Sequence, residues 1–567
     1  MKMKTALLGA ACAFAMAPAA FAERGSDGNV KVLFWQAPSI LNPYLSSGSK
    51  DVYTSSLILE GLAGFDETGA IFPRLAAEIP TLANGGVSAD LTQITWKLQP
   101  GLLWSDGTPV TSADAKFTYD YCTSPDGGCA QLPKFDGIKS IETPDDLTIA
   151  ITFNAPKPNP YNAFVGALVP ILQKAQFEKC LGAAAPTCTE QNFGPIGTGP
   201  FRVTSFKTND SMELEANPNY RDPSKPAFAT MSVKGGGDAD AAARAVLETG
   251  EFDYAWNTQV NPEVQAQMAA GGKGAFANVF ATTTERLEMN MTDPSPDLAE
   301  GERSTLKHPH PILTDINVRK ALSMAIDRQA LVDVGYGAAG RVTCNIVPAP
   351  IAYAAGNTDC VKQDMAGAKA LLDTAGWTDS DGDGIRDKDG KKLHLLYQTT
   401  VNPVRQDFQA LIKSWWTELG VEVELKSIDA SVFFGGDAGS PDTFQKFYAD
   451  VEMYANNFDG TDPEAYLAGY VCSQIPGPDN QWQGNNMNRF CDPAYDALVK
   501  ELSETGDVAK RQELSKKMDS MLTSDSMIIV PMVDRGSLSA VSNTLGGVKI
   551  NGWDSEIWNT QDWTRLK

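Results

Sequence analysis

Residues 451–499 read VEMYANNFDGTDPEAYLAGYVCSQIPGPDNQWQGNNMNRFCDPAYDALV. The segment opens apolar, breaks at Asp459-Gly460-Thr461-Asp462-Pro463, and returns through a loop whose ends carry Cys472 and Cys491. Glycine and Asp-Pro are turn chemistry, so Asp459 is expected at the lip of an element rather than within one. A carboxylate on a fixed turn beside a stapled loop is suited to holding a cationic group. The same residues also make an ordinary surface turn, and this stretch alone does not choose between the two.

The rest of the chain narrows the choice. Its start, MKMKTALLGAACAFAMAPAAFAERGSDG, has Lys2 and Lys4, an apolar run from Ala6 to Ala17 too short to span a bilayer, and Ala20-Phe21-Ala22 as a small-residue cleavage site. This pattern predicts export and cleavage after Ala22, hence a periplasmic location. A lipoprotein reading at Cys12 is disfavoured by Gly9, where a large aliphatic residue is expected. No later apolar run is long enough to cross a membrane. With 567 residues the chain has room for about three or four compact units at ~150 residues each. Its net charge of −23 argues against nucleic acid and anionic membranes as partners.

Of nine cysteines, Cys12 leaves with the export signal. The others fall as sequence neighbours: Cys122 with Cys129, Cys180 with Cys188, Cys344 with Cys360, and Cys472 with Cys491. In an oxidising compartment, and because near neighbours meet most easily, four local disulfides are expected, with free buried thiols as the alternative.

Taken in order, VKVLFWQ at 30–36 reads as a buried strand, Ser49 to Leu62 as a helix, and ITWKL as an alternating strand. An SDG turn then leads to a helix starting at Thr111–Asp114, with Phe117 and Tyr121 on one face. INVRKALSMAIDRQALV spaces Val318, Ala321, Leu322, Ala325 and Ile326 as a core-facing helical stripe, and GVEVELKS alternates as a strand. One ring of Trp415-Trp416 is expected in the core.

Several blocks resemble the solute-binding proteins of the peptide/nickel class (family 5) that serve ATP-driven importers. They are LILEGLAGFDETGAIFPRLAAEI, ITWKLQPGLLWSDGTPVTSADAKFTYD, GPIGTGPFRVTSF, LEANPNYRDPSKPAF, LETGEFDYAW, AKALLDTAGW, WWTELGVEVELKSID and the Asp459 stretch, in the family's order over essentially the whole mature chain. The resemblance implies an α/β, two-lobe periplasmic-binding-protein fold (type II-like) with a hinge and an extra subdomain inserted in the first lobe. Applied here, 23–64, 194–293 and 528–567 would form lobe I, 65–193 the inserted subdomain and 294–527 lobe II.

The resemblance also implies that Asp459, in the D..[DE]P spacing of FDGTDP, binds a ligand's α-ammonium. Asn456 stands where peptide binders of the family often carry tryptophan, so Tyr454, Phe458 or Trp482 would have to supply an aromatic wall. Asn486, Trp35 and Trp256 are further candidate contacts. The function implied is capture of short peptides between lobes, by a monomer, and delivery to a membrane permease. The alternatives are the same role for an oligosaccharide, an opine or a metal chelate, a peptide-holding chaperone, and a secreted hydrolase. The hydrolase lacks a GxSxG elbow or HExxH, and no CxxC or P-loop is present.

Asp379-Ser380-Asp381-Gly382-Asp383-Gly384-Ile385-Arg386-Asp387 places carboxylates at positions 1, 3, 5 and 9 of a calcium-type loop, with Gly390 where a bidentate Glu would complete it. A weak structural calcium site and a metal-free Asp/Gly hairpin are equally consistent with it, and no cofactor is required. His308-Pro309-His310-Pro311 reads as an exposed connector.

Overall fold

The computed structural model describes residues 23–299 and 301–566. The export signal read at residues 1–22, with its cleavage point and Cys12, lies outside the described residues. Among these, no helix is long and apolar enough to cross a membrane.

Two large sheets organise the chain. The first has seven strands in the order Gly274–Val279, Ser537–Ser542, Tyr254–Trp256, Asn29–Phe34, Thr230–Gly235, Ser211–Ala216, Phe201–Lys207. Asn29–Phe34 is central and parallel to both neighbours. Its side chains alternate between two cores, with Val30, Val32 and Phe34 on one face and Leu33, followed by Trp35, on the other. A parallel strand covered on both faces needs such a continuous apolar run, and VKVLFW supplies it. The second sheet has six strands, Gly340–Val342, Ile529–Arg535, Thr284–Met289, Val451–Asn456, His394–Thr400 and Glu422–Ile428. Here Val451 and Met453 enter the main core, while Tyr454 enters a smaller aromatic one.

The chain passes from the first sheet to the second through residues 280–283 and returns at Gly536. A side chain at 536 would put its Cβ 2.0 Å from Asn278 Oδ1, so glycine lets the two crossing strands lie against each other. Thr284–Met289 and Ile529–Arg535 pair with each other in the second sheet, so the chain changes sheet at 280–283 and at 536. A three-stranded antiparallel sheet, Gln93–Lys97, Thr148–Phe153 and Ile138–Asp145, and the pair Ala63–Phe65 with Ile71–Pro73 lie in the stretch read as the insertion.

All four expected disulfides are formed. Three expectations change. The helix from Ser49 ends at Ser55, because Leu57 and Ile58 give their carbonyls to Phe201 and Gly199 instead. A Cβ at Gly197 would lie 1.9 Å from the Ile58 oxygen, which explains the glycines of IGTGPF as close backbone packing. The stripe at 316–332 is buried as expected but splits into Ile316–Met324 and Arg328–Gly335, with the Asp327 carboxylate capping the second helix at Ala330 N. His310 is not an exposed connector residue. It is 1% exposed, one ring nitrogen accepts from Ile312 N and Leu313 N, and the other lies 2.8 Å from Asp450. Trp416 is the ring that enters the core.

Candidate ligand-binding cleft

The Val451–Asn456 strand ends three residues before Asp459, and each following residue is held. Asn456 Oδ1 accepts from Asn457 N. Thr282 clamps Phe458, donating to its carbonyl at 2.7 Å and accepting from its amide at 3.2 Å. Gly460 takes a left-handed φ of +74° and donates to the Trp553 carbonyl across the cleft. Beyond it, Arg511 forks onto Asp462 at 2.7–3.0 Å and reaches Glu464 at 2.8 Å. The turn is therefore rigid, as its glycine and Asp-Pro suggest.

Asp459 Oδ2 is buried and has no hydrogen-bond partner. Facing it from the first lobe is Gly166 at φ +87°, where any Cβ would lie 3.2 Å from that oxygen. Burial raises the Asp459 carboxyl to about 7, Lys134 opposes the shift and Asp554 adds to it. Asp554 itself is satisfied, accepting from Phe65 N, Ala167 N and Ser555 N. An open, desolvated carboxylate oxygen in a rigid frame is suited to a cation supplied from outside, because leaving such a charge unpaired costs several kcal/mol.

Three adjoining cavities run between the lobes. The middle one, about 140 Å³, is bounded by Ser49, Tyr53, Lys134, Asn456, Asp459 and Tyr466. An inner one of about 110 Å³ shares Tyr53 and Asn456 with it and continues to Trp256, Arg405, Arg535 and Glu556 near the strand crossings. An outer one of about 670 Å³ shares Lys134 and Asp459 with the middle cavity. The cleft is closed at its edges by Lys157 with Glu464, Gln474 with Asp136, and Gln481 with Asp126.

The inner end matches its charges. Glu285 is fully buried, yet Arg405 at 2.7 Å and Arg535 at 3.6 Å outweigh the desolvation and hold its carboxyl below the usual range. Tyr336 OH also donates to it. Two guanidiniums share this one carboxylate, and Arg535 Nε is left without an acceptor. The cleft thus presents an open acid at Asp459 and, at its inner end, the guanidiniums of Arg405 and Arg535 set against Glu285 and Glu556.

The family model for bacterial extracellular solute-binding proteins, family 5, matches residues 71–477. The chain belongs to this family. Its members bind solutes outside the cytoplasm, and the protein is a carrier rather than an enzyme. Among its relatives, the oligopeptide-binding protein AppA of Bacillus subtilis is 27% identical over 402 residues, covering 70% of this chain and 68% of that protein. The glutathione-binding protein GsiB of Shigella boydii is 24% identical over 539 residues, covering 94% and 93%. The solved structure of AppA with a nonapeptide matches with a TM-score of 0.82 at 22% identity, covering 96% of this chain and all of that one. This likeness shows the shared two-lobe fold.

Within this family fold, Asp459, Asn456 and Trp256 come together on the cleft. Trp256 stacks on Phe34 and meets Tyr53 edge-on. Phe458, the other aromatic near the anchor, also faces the middle cavity. The remaining candidates lie elsewhere. Tyr454 packs among Phe433, Phe434 and Phe444 with Arg286 over its ring. Trp482 packs on Tyr448. Asn486 donates to the carbonyls of Tyr470, Val471 and Phe490, bracing the Cys472–Cys491 loop. Trp35 is buried in the first lobe, with its indole N–H on Asn257 O. Sequence reading passed over Tyr53, Lys134, Gly166, Arg405 and Arg535. Their shared place is made by loops and strand ends far apart in the chain, for which no local spacing is a signal.

At the acidic hairpin, Asp379, Asp381 and Asp383 bring carboxylate oxygens within 4.8 Å of one another. The Lys392 ammonium bonds both Asp381 and Asp383, Asp379 accepts from Gly382 N and Gly384 N, and Asp387 accepts from Ser380. The hairpin holds itself together through these bonds, and Asp387 is turned to a different task from the other three.

Proposed function

We propose that the protein captures short peptides between its lobes, with Asp459 holding the ligand's ammonium, and delivers them to an importer permease in the membrane. The observation that carries this reading is the Asp459 Oδ2 oxygen, buried, unpartnered and shared by two cavities. The names of AppA and GsiB, an oligopeptide binder and a binder of a short peptide-like thiol, support the same ligand class. Asn456 contributes an amide to the cleft wall, and Trp256 an aromatic face near its inner end.

In this reading lobe I and the inserted subdomain close on lobe II about the crossings at 280–283 and Gly536. Cleavage after Ala22 would release the mature protein into the periplasm. The acidic hairpin at 379–387 is assigned a structural role, with calcium there tested by adding the ion to chelator-treated protein.

The deciding experiment is calorimetric titration of ligand-stripped protein with a mixed short-peptide pool and with the same pool N-acetylated. Free peptides are expected to bind, and acetylation or Asp459→Ala to weaken binding by ~3 kcal/mol or more, over a hundredfold. If neither pool binds the folded protein, the peptide reading fails.

A further inference from the structure

Three of the disulfide-closed loops stand in a row at one edge of the cleft. The Cys180–Cys188 loop packs so closely on the Cys122–Cys129 loop that a Cβ at Gly182 would come 2.9 Å from the Pro125 carbonyl oxygen. On its other side the Cys122–Cys129 loop meets the second lobe, where Gln481 Nε2, in the Cys472–Cys491 loop, donates to Asp126 Oδ1 at 3.0 Å. A Cβ at Gly128 would also lie 3.8 Å from Gln481 Oε1, so the backbone of one loop runs along the side chain of the other. The row thus passes from the inserted segment across the cleft.

Two further bonds cross beside it. Gln474 Nε2, in the same stapled loop, donates to Asp136 Oδ2 at 2.9 Å, and Lys157 pairs with Glu464, which Arg511 already holds at 2.8 Å. The surfaces that meet here are ordered in advance. A disulfide leaves a closed loop few conformations, so little freedom is lost on contact. Gln481 and Trp482 take left-handed φ values of +56° and +60°, a state that residues with a Cβ keep only where their surroundings fix it. The Trp482 ring against Tyr448, and its amide on the Gly477 carbonyl at 2.7 Å, fix it. All three crossing bonds join protein groups to each other, so they act whether or not the cleft is filled.

We infer that the stapled loops form a latch on the closed state, in which Gln481, Gln474 and Glu464 are positioning residues that hold the lobes shut and set how slowly a ligand leaves. This rests on the reading that the lobes open and close about the strand crossings, and not on the chemistry of the ligand. None of the six residues joined by the crossing bonds lines the three cavities, so the latch acts on opening rather than on the ligand itself. A departing ligand must wait for these bonds to break, whereas an entering one finds them broken. Their effect therefore falls on dissociation and leaves association alone.

The test uses the whole mature protein and two readouts. With Lys157→Met and Asp126→Ala combined, stopped-flow dissociation of Ala-Ala-Ala should quicken roughly tenfold while its association rate stays unchanged. Asp126→Ala alone should give about threefold, and Asp126→Asn, which keeps the acceptor oxygen, should recover most of it. Cys472→Ser with Cys491→Ser should also quicken dissociation about threefold, because the tip loosens while Asn486 still braces the base of the loop. The second readout needs no ligand: small-angle scattering of the empty protein should give a smaller radius of gyration for the wild type than for the Lys157→Met, Asp126→Ala variant. Asp126 is exposed, so Asp126→Ala keeps the test open if the other variants fail to fold. Equal radii in the empty wild type and variant refute the latch, as does a loss of affinity carried by the association rate. If Ala-Ala-Ala does not bind, the peptide reading falls and the scattering alone decides the latch.

Discussion

Two acids at the same cleft are treated in opposite ways. Glu285 lies at the strand crossings with Arg405, Arg535 and Tyr336 on its oxygens, and its carboxyl is held low. Asp459, at the end of the neighbouring Val451–Asn456 strand, has one oxygen with no partner and a carboxyl raised to about 7. The first belongs to the scaffold, since its charge is matched within the chain. The second is the acid to which we assign the ligand's ammonium.

Replacing each acid should expose this contrast. Glu285→Ala strands two guanidiniums in the interior, and urea unfolding should show a loss of about 3–5 kcal/mol. The opposite sign is expected for Asp459→Asn in the empty protein. The folded carboxyl titrates near 7, against about 3.9 in an unfolded chain. Between these values the folded protein keeps a proton that the unfolded one has lost. The stability associated with this group is thus complete below about pH 4 and declines as pH rises to 7. Asp459→Asn should raise the unfolding free energy at pH 7.5 by up to about 4 kcal/mol and leave it unchanged near pH 4. Peptide affinity should move the other way in the native protein, falling as pH drops below about 7, because the protonated acid cannot pair an ammonium.

The smallest effect is expected at Lys134, which opposes the upward shift of the Asp459 carboxyl from half-buried surroundings. Lys134→Met should tighten binding of a cationic ligand about threefold, measured by the same titration and lost at high salt. An unchanged affinity would mean that Lys134 does not share the ligand's space.

Part of this contrast was legible beforehand. Asp459 was visible because a strand-forming run is cut by Asp-Gly-Thr-Asp-Pro, and turn chemistry places the first aspartate at an exposed end. The four disulfides followed from short spacing. Lobe cores were legible as alternation in VKVLFW and as the stripe at 318–326. Other readings failed where a distant segment set the outcome. Leu57 to Leu62 carries helical residues, yet the Leu57 and Ile58 carbonyls accept from Phe201 and Gly199, that of Glu60 from Ile171 and that of Leu62 from Arg74 and Ala76, and His310 is buried because Asp450 and two backbone amides receive its ring. Tyr454 was a sound aromatic candidate two strand positions from Asn456, but its face of the sheet is the one that packs against Phe433 and Phe444.

The sequence by itself determined the family and carrier class, through blocks that resemble it along the whole mature chain, and the turn at Asp459 and the local disulfides, because turn residues and cysteine spacing act over a few neighbours. Only the tertiary structure decided that Asp459 Oδ2 has no partner, that Gly166 faces it, that Lys134 stands beside it, and that Arg405 and Arg535 share one carboxylate. Those facts depend on which remote side chains reach a given atom. A charge's partner is fixed by distance in space, and the chain brings these residues together only when its two sheets and the inserted segment are folded around one cleft.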